Sequence, residues 1–545
     1  MTSEPDPQPD PSAPAPPASP ENSYDALPYD SWAFDATHPD RLAAMGRFFG
    51  LDTPDVDTCR VLELGCAAGG NLIPMAVSLP RAQFVGVDLS GVQIAEGQGV
   101  VEALALDNIE LQHRSILDIG PDDGTFDYIV CHGVYSWVPP EVQARILAIC
   151  SENLSPQGVA YVSYNTLPGW HLRAGVREMM TFHADRFSTV EDRVGQARAL
   201  LDFLLSAVPE SSTSAYSTLL RDELEVIRNR ADSYLFHEHL EQHNEPIYFH
   251  EFVTRMGAHG LRYLAESSLA EMFPRELPTQ VQETLSNICP DQTHMEQYLD
   301  FLRNRMFRRT LICHEDVNPL RDLKPSSIEK LLFGAEVKVA DGTTDEALDG
   351  DELVTFQFDN GGTVHLPEPS AKRMMQALGQ AWPAFVDFET LASRADVGRG
   401  LAADRPDGPE VSADRARQLQ VLLECLSAGL PQIRVAPVRF ATTVAERPIA
   451  SPLARLQASR GSTVTTLRHA SRPFPAHVIH LLGLLDGTRT HAQLAESLAT
   501  FVAESGQAVT IDGETFETAD DLRAALATGI ERVLKALCWD GLLMP

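Results

Sequence analysis

The sequence predicts an α/β fold, and two observations carry that prediction. Short apolar, β-rich runs alternate with helical ones across residues 60–164, the pattern of a parallel sheet covered by helices. The first run leads into "VLELGCAAGGN" at residues 61–71, a strand that opens through a glycine-bearing turn into a helix. Strands are expected at residues 60–64, 83–88, 109–113, 127–131 and 159–164, with helices near 71–78, 90–106 and 140–153. That order is β-α-β-α-β-β-α-β, with helices long enough for parallel crossovers, and it sets the ligand crevice at the strands' carboxyl ends.

Composition bounds the rest. The chain has 545 residues and a formal net charge of -33, enough for several domains with apolar cores. Such acidity repels nucleic acid and anionic membranes at long range, so no nucleic-acid partner is expected. The first twenty residues are acidic and proline-rich, with neither the basic nor the apolar segment of a secretory signal; residues 1–21 read as a disordered tail. No apolar run reaches the roughly 18 residues of a membrane span. The eight cysteines are scattered without a C-x-x-C pair, which favours free thiols in a reducing cytoplasm.

The neighbours of the glycine turn indicate its ligand. Gly65 and Gly69 let the backbone approach closely, and Cys66, Ala67 and Asn71 complete the loop. Glu63 stands where a carboxylate would repel a pyrophosphate but suit a cation. Asp88, ending the second strand, can accept hydrogen bonds from ribose hydroxyls, with Leu89 beside it. No lysine with serine or threonine follows the loop, so a P-loop is excluded. An adenosine with a cationic amino-acid tail, S-adenosylmethionine, fits better than a dinucleotide. After the third strand, "HRSILDI" places Ser115 and the backbone of Ile116 at the expected adenine position, with Asp118 read as a surface acid or helix cap.

Here the sequence resembles the class I methyltransferases, whose E-x-G-x-G-x-G it follows at Glu63, Gly65 and Gly69, with Ala67 for the middle glycine. The resemblance implies a Rossmann-like sheet. Methyl transfer requires an aligned acceptor, and aromatic faces suit both the sulfonium and a cationic amine. "CHGVYSWVPP" places His132, Tyr135 and Trp137 after the fourth strand, and "SYNTLPGWH" places Asn165, Trp170 and His171 after the fifth. His132 is expected to serve both sides of the crevice.

Those phrases, with "NSYDALPYDSWAFDATHPDRLA", "DSYLFHEHLEQHNEPIYFHEF" and "FRRTLICHED", resemble the bacterial methyltransferases that carry a regulatory domain, among them the protein-lysine methyltransferases of rickettsial outer-membrane proteins. By that resemblance Tyr24 and Tyr29 join the acceptor pocket, and the acceptor becomes a protein lysine. A small-molecule N- or O-methyltransferase is the alternative, in which His132 or His171 gains weight; a noncatalytic S-adenosylmethionine-responsive scaffold is a second. His239 and His243 share a helix face but lack a third ligand at convincing spacing, so no metal is assigned. His237, Glu238 and His239 could instead border the acceptor cleft.

The remaining chain is divided as follows. A methyltransferase core spans residues 22–215 and includes the start of a helical insertion, whose amphipathic helices could cover the cleft or build a homodimer contact. A regulatory region at 216–316 would complete the sheet. "MMQALGQAWPAFVDFETLA" with "LQVLLECLSAGLPQI" matches in pattern "IHLLGLLDGTRTHAQLAESL" with "IERVLKALCWDGLLMP", the paired segments running to Gly429 and Gly541. This suggests two winged-helix-like modules, at 317–432 and within 433–545. Their "DFETLA" and "HAQLAESL" lack the basic residues a DNA-recognition helix needs. A strip from Arg434 to Arg472 holds seven arginines against the single acid Glu446 and reads as a connector docked on acidic surface or as a partner-binding strip.

Overall fold

The computed structural model describes residues 25, 27–209, 211–228, 230–274, 276–402, 408–505, 509–511, 514–516 and 518–545. The tail assigned to 1–21 and the candidate Tyr24 lie outside the described residues.

Seven strands make one mixed sheet in the order β3-β2-β1-β4-β5-β7-β6. They are β1 (Arg60–Leu64), β2 (Gln83–Asp88), β3 (Ile109–His113), β4 (Phe126–Cys131), β5 (Leu154–Asn165), β6 (Leu261–Glu266) and β7 (Phe307–His314). The first five pair in parallel, while β7 runs antiparallel between β5 and β6. Strands buried on both faces read as continuous apolar runs, and β1 and β4 do: Val61, Leu62, Leu64, Tyr128, Ile129 and Val130 are buried throughout. Helices Leu72–Ser78, Gly91–Ala103 and Pro140–Glu152 make the crossovers, the last opened by proline at its first turn. Strand order reverses between β1 and β4, so the crevice opens there, beside the glycine loop and the turn after Cys131.

A second compact unit comprises the described residues of Met1–Asp30, Ser90–Gln93 and His171–Gln242. Helices Val190–Ala207, Ala215–Arg228 and Asp232–His239 build it with the body of Trp170–Ala184. Leu220, Leu224 and Ile227 form the buried stripe of the second, and they join Val176, Met180, Val194, Leu201 and Phe236 in a core of their own. Phe182, Phe203 and Tyr216 are exposed.

Beyond β7 the sheet unit continues. β8 (Leu332–Gly334), β9 (Val337–Val339), β10 (Val354–Phe358), β11 (Thr363–Leu366), β12 (Val386–Asp387) and β13 (Gln432–Arg434) form two three-stranded sheets, β11-β10-β9 and β12-β8-β13. They pack with helices Pro369–Ala381, Phe388–Gly398 and Pro409–Ser427. A separate core gathers Leu481, Leu482, Leu494, Leu498, Leu526, Leu534 and Leu542 from the C-terminal helices. Two arginines of the strip dock on acids of the segment before the sheet, and a third pairs within the C-terminal segment. Arg434 pairs with Asp35 at 2.5 Å and reaches Asp40, Arg439 pairs with Asp57, and Arg472 pairs with Asp540. Among the described residues no helix is long and apolar enough to cross a membrane.

Candidate active site

The loop after β1 alternates left-handed residues: Gly65 at φ 77°, Ala67 at 49° and Gly69 at 73°. A Cβ on Gly65 would lie 2.4 Å from Val134 Cγ2, so that position admits only glycine. Ala67 holds a conformation that L-residues adopt at a cost, which explains why glycine suits it better. The backbone N–H groups of Gly65 and Cys66 donate to Val87 O, and Ala67 N–H donates to Asp88 Oδ2 at 2.8 Å. Asp88 thus braces the loop from the end of β2. Leu89 beside it is exposed.

Glu63 is buried. Its Oε1 accepts the Asn71 side-chain N–H at 2.7 Å, while Oε2, also buried, has no partner among the described residues. Burial, with help from Asp88 and against the Asn71 bond, pushes its carboxyl up to about 8. Two loop residues turn their side chains to protein surroundings. Cys66 turns its thiol into the core, where burial raises it well above the ordinary thiol range. The Asn71 amide is spent on protein partners: besides Glu63 it meets Thr37, the Phe34 N–H at 3.0 Å and His469 at 2.8 Å. On the third strand's side, Ser115 Oγ accepts Leu117 N–H and caps the turn Ile116–Asp118; Ile116 is half-buried and Asp118 exposed.

After β4, His132 accepts a close contact from Phe34, the two rings 3.9 Å apart, and its Nδ1 lies 3.0 Å from Tyr161 Oη. Burial and Arg309 push His132 down to about 4, so it is neutral at neutral pH. The 3-10 turn Tyr135–Trp137 separates the two aromatics expected to share the pocket. Tyr135 is wholly buried, edge-on to Phe252 and beside Tyr164. Trp137 is half-buried and meets buried Trp170 edge to face at 6.2 Å. Asn165, closing β5, is buried with its side-chain N–H group unpartnered among the described residues.

The helical unit holds the other candidates. Tyr29 is half-buried with its ring edge-on to His237; burial first, then Glu238, raises its hydroxyl. His237 is buried between Leu27 O and Glu241, and His239 is buried with neither ring nitrogen hydrogen-bonded among the described residues. Burial pushes Glu238 up to about 7 and His239 down to about 3. His171 is exposed. Sequence reasoning missed Ser31, whose Oγ accepts Gly70 N–H at 2.8 Å, and with it Phe34, Thr37 and His469. The first three lie within the phrase that carried the resemblance; His469 had no signal, since almost 400 residues separate it from Asn71.

Three family models match the chain: "Methyltransferase domain" over residues 61–158, "Predicted methyltransferase regulatory domain" over 231–314, and "PKMT, C-terminal winged helix domain" over 446–542. The structure of PKMT2 from Rickettsia typhi in complex with AdoHcy superposes with a TM-score of 0.84 at 31% identity, covering 95% of this chain and 100% of that one. Uncharacterized protein RP789 of Rickettsia prowazekii is 33% identical over 531 residues, 96% of this chain and 94% of the relative. Fold and loop are those of a class I S-adenosylmethionine-dependent methyltransferase. The chain belongs to the family that includes PKMT2, with its methyltransferase regulatory domain and C-terminal winged helix.

The residues present fit that cofactor. The unpartnered Glu63 oxygen suits an ammonium, and Asp88 at the end of β2 suits a ribose. Because the Glu63 carboxyl is held near 8, it is protonated in the ligand-free site at neutral pH. Pairing with an ammonium requires the carboxylate, so cofactor binding is expected to release a proton. Affinity should rise from about pH 6 to about pH 7.5, below the range in which an α-amino group loses its own proton. The stability of the ligand-free fold should follow the opposite trend: a raised carboxyl contributes stability that is complete below its unfolded value and lost as pH rises through about 8. Calorimetry in buffers of different ionisation enthalpy reads the released proton, and Glu63→Gln should abolish it.

Proposed function

We propose that the enzyme methylates lysine side chains of a protein. The observation that carries this reading is the end-to-end likeness to PKMT2, which extends through the C-terminal winged helix and does not stop at the catalytic sheet. A protein substrate has to be gripped outside its reacting side chain, and the modules beyond β7 offer the surface for it.

Local chemistry supports the same reading. When bound, S-adenosylmethionine supplies a methyl group on a sulfonium; the chain's own task is to align the acceptor and exclude water. Trp137 and Phe34 present aromatic faces near the strand ends, and Asn165 offers a buried amide donor. His132 is a weak base, held near 4. An amine desolvated among such groups loses its proton more readily, so no dedicated base is assigned. The exposed Phe182, Phe203 and Tyr216 on the helical unit support self-association as a homodimer, and eight free thiols support a cytoplasmic setting.

Incubation with methyl-labelled cofactor and a cell extract tests this. Label should enter protein and appear as methyl-lysine after hydrolysis; label confined to small molecules would overturn the reading. Trp137→Ala should lower turnover on the protein about tenfold, the scale of one desolvated cation–aromatic contact, and leave cofactor affinity within about twofold.

A further inference from the structure

The hairpin of β14 (Thr463–Thr465) and β15 (Ser471–Pro473) lies in the segment matched by the winged-helix model. Its turn is fastened at both ends: Thr466 N–H donates to Ala470 O, and Leu467 N–H donates to Gly541 O at 2.7 Å. Within that turn His469 adopts a left-handed conformation, φ 62°, and is buried. Its Nε2 lies 2.8 Å from Asn71 Oδ1.

The direction of that bond follows from the neighbours. The Phe34 backbone N–H, which can only donate, meets the same oxygen, and the Asn71 Nδ2 group faces the Glu63 carboxyl. Turning the amide over would set N–H against the Phe34 N–H, which can only donate. His469 therefore donates from Nε2, and the chain of bonds runs His469 to Asn71 to Glu63 Oε1, leaving Glu63 Oε2 unpartnered. The same hairpin also holds the segment over the loop, since Ser471 Oγ accepts Ala33 N–H at 3.2 Å.

We infer that His469 is a positioning residue of the cofactor site: through Asn71 it fixes the Glu63 carboxyl oxygen that receives the amino-acid end of S-adenosylmethionine, so the C-terminal domain completes the site. The inference does not depend on which acceptor is methylated.

The test separates the two ends of the ligand. S-adenosylhomocysteine carries the amino-acid tail, whereas 5′-methylthioadenosine lacks it. Calorimetry on the full chain should show His469→Gly weakening S-adenosylhomocysteine about threefold to tenfold, the scale of one neutral hydrogen bond, with methylthioadenosine unchanged. Glycine keeps the left-handed backbone. Should that variant fail to fold, His469→Asn, which tolerates the same conformation but cannot reach as far, carries the comparison. In a Glu63→Gln background either substitution should add no further loss. Parallel weakening of both ligands, no weakening of either, or full additivity with Glu63→Gln would each overturn the inference.

Discussion

Replacing Arg308 with methionine should destabilise the sheet unit more than any other single substitution considered for this chain. Arg308 sits wholly buried in β7 among three buried carboxylates. Its Nη1 lies 2.5 Å from Glu266, its Nη2 lies 2.8 Å from Asp300 and 3.1 Å from Glu296, and its guanidinium stacks 3.9 Å over Phe249. Among the described residues Arg305 offers Asp300 a second cation, at 3.1 Å. Removing one partner of a buried ionic group typically costs about 3–5 kcal/mol, because the remaining charges stay buried without compensation. A thermal melt should fall by on the order of 10 °C. Burial already raises Glu296 to about 6 despite Arg308, and without the arginine it should rise further. A carboxyl raised in the folded state contributes stability that is complete below its unfolded value and lost as pH climbs through the folded one. The variant's deficit should thus shrink toward pH 5 and widen toward pH 8. A melt within a few degrees of the parent at both ends would show that the cluster is solvated.

The consequence reaches the site. Arg308 pairs with Tyr164 and Phe307 with Asn165 across β5 and β7, so the cluster anchors the strand that ends in Asn165. Nothing in the sequence marked these carboxylates as neighbours. Glu266, Glu296 and Asp300 lie on two separate elements, and only the antiparallel return of β7 gathers them around one arginine.

The parts that were legible share a physical basis. Apolar, β-rich runs located β1, β2 and β3 to the residue, although only β1 is buried nearly throughout and the edge strand β3 fully buries Leu111 alone. The glycine loop was legible because left-handed backbone leaves a residue signature, and Ala67 shows the signature's tolerance. Side-chain direction was less accessible. Tyr135 and Trp137 are two apart in a tight turn, and the turn sends one into the core and leaves the other half-exposed. Asn71 read as a loop residue facing the ligand, whereas four protein partners, Phe34, Thr37, Glu63 and His469, had already claimed its amide. Contacts across hundreds of residues leave no local pattern to read.

Asp88→Ala should weaken S-adenosylmethionine tenfold to a hundredfold. Hydrogen bonds to a charged group contribute about 1.5–3 kcal/mol, which converts to that range. The carboxylate stands at the carboxyl end of β2 and already accepts Ala67 N–H, so it serves twice: it shapes the loop and presents an acceptor beside it. The two roles can be separated. Asp88→Asn keeps a carbonyl oxygen for Ala67 N–H but loses the charge and one acceptor, so it should retain the loop and fall between the parent and alanine in affinity. If loop bracing were the whole effect, asparagine would bind as the parent does. If ribose contact dominates, asparagine should approach alanine. Calorimetry on both variants, with ligand-free melts to establish folding, distinguishes these cases, and unchanged affinity in a folded Asp88→Ala chain would place the ribose elsewhere in the crevice.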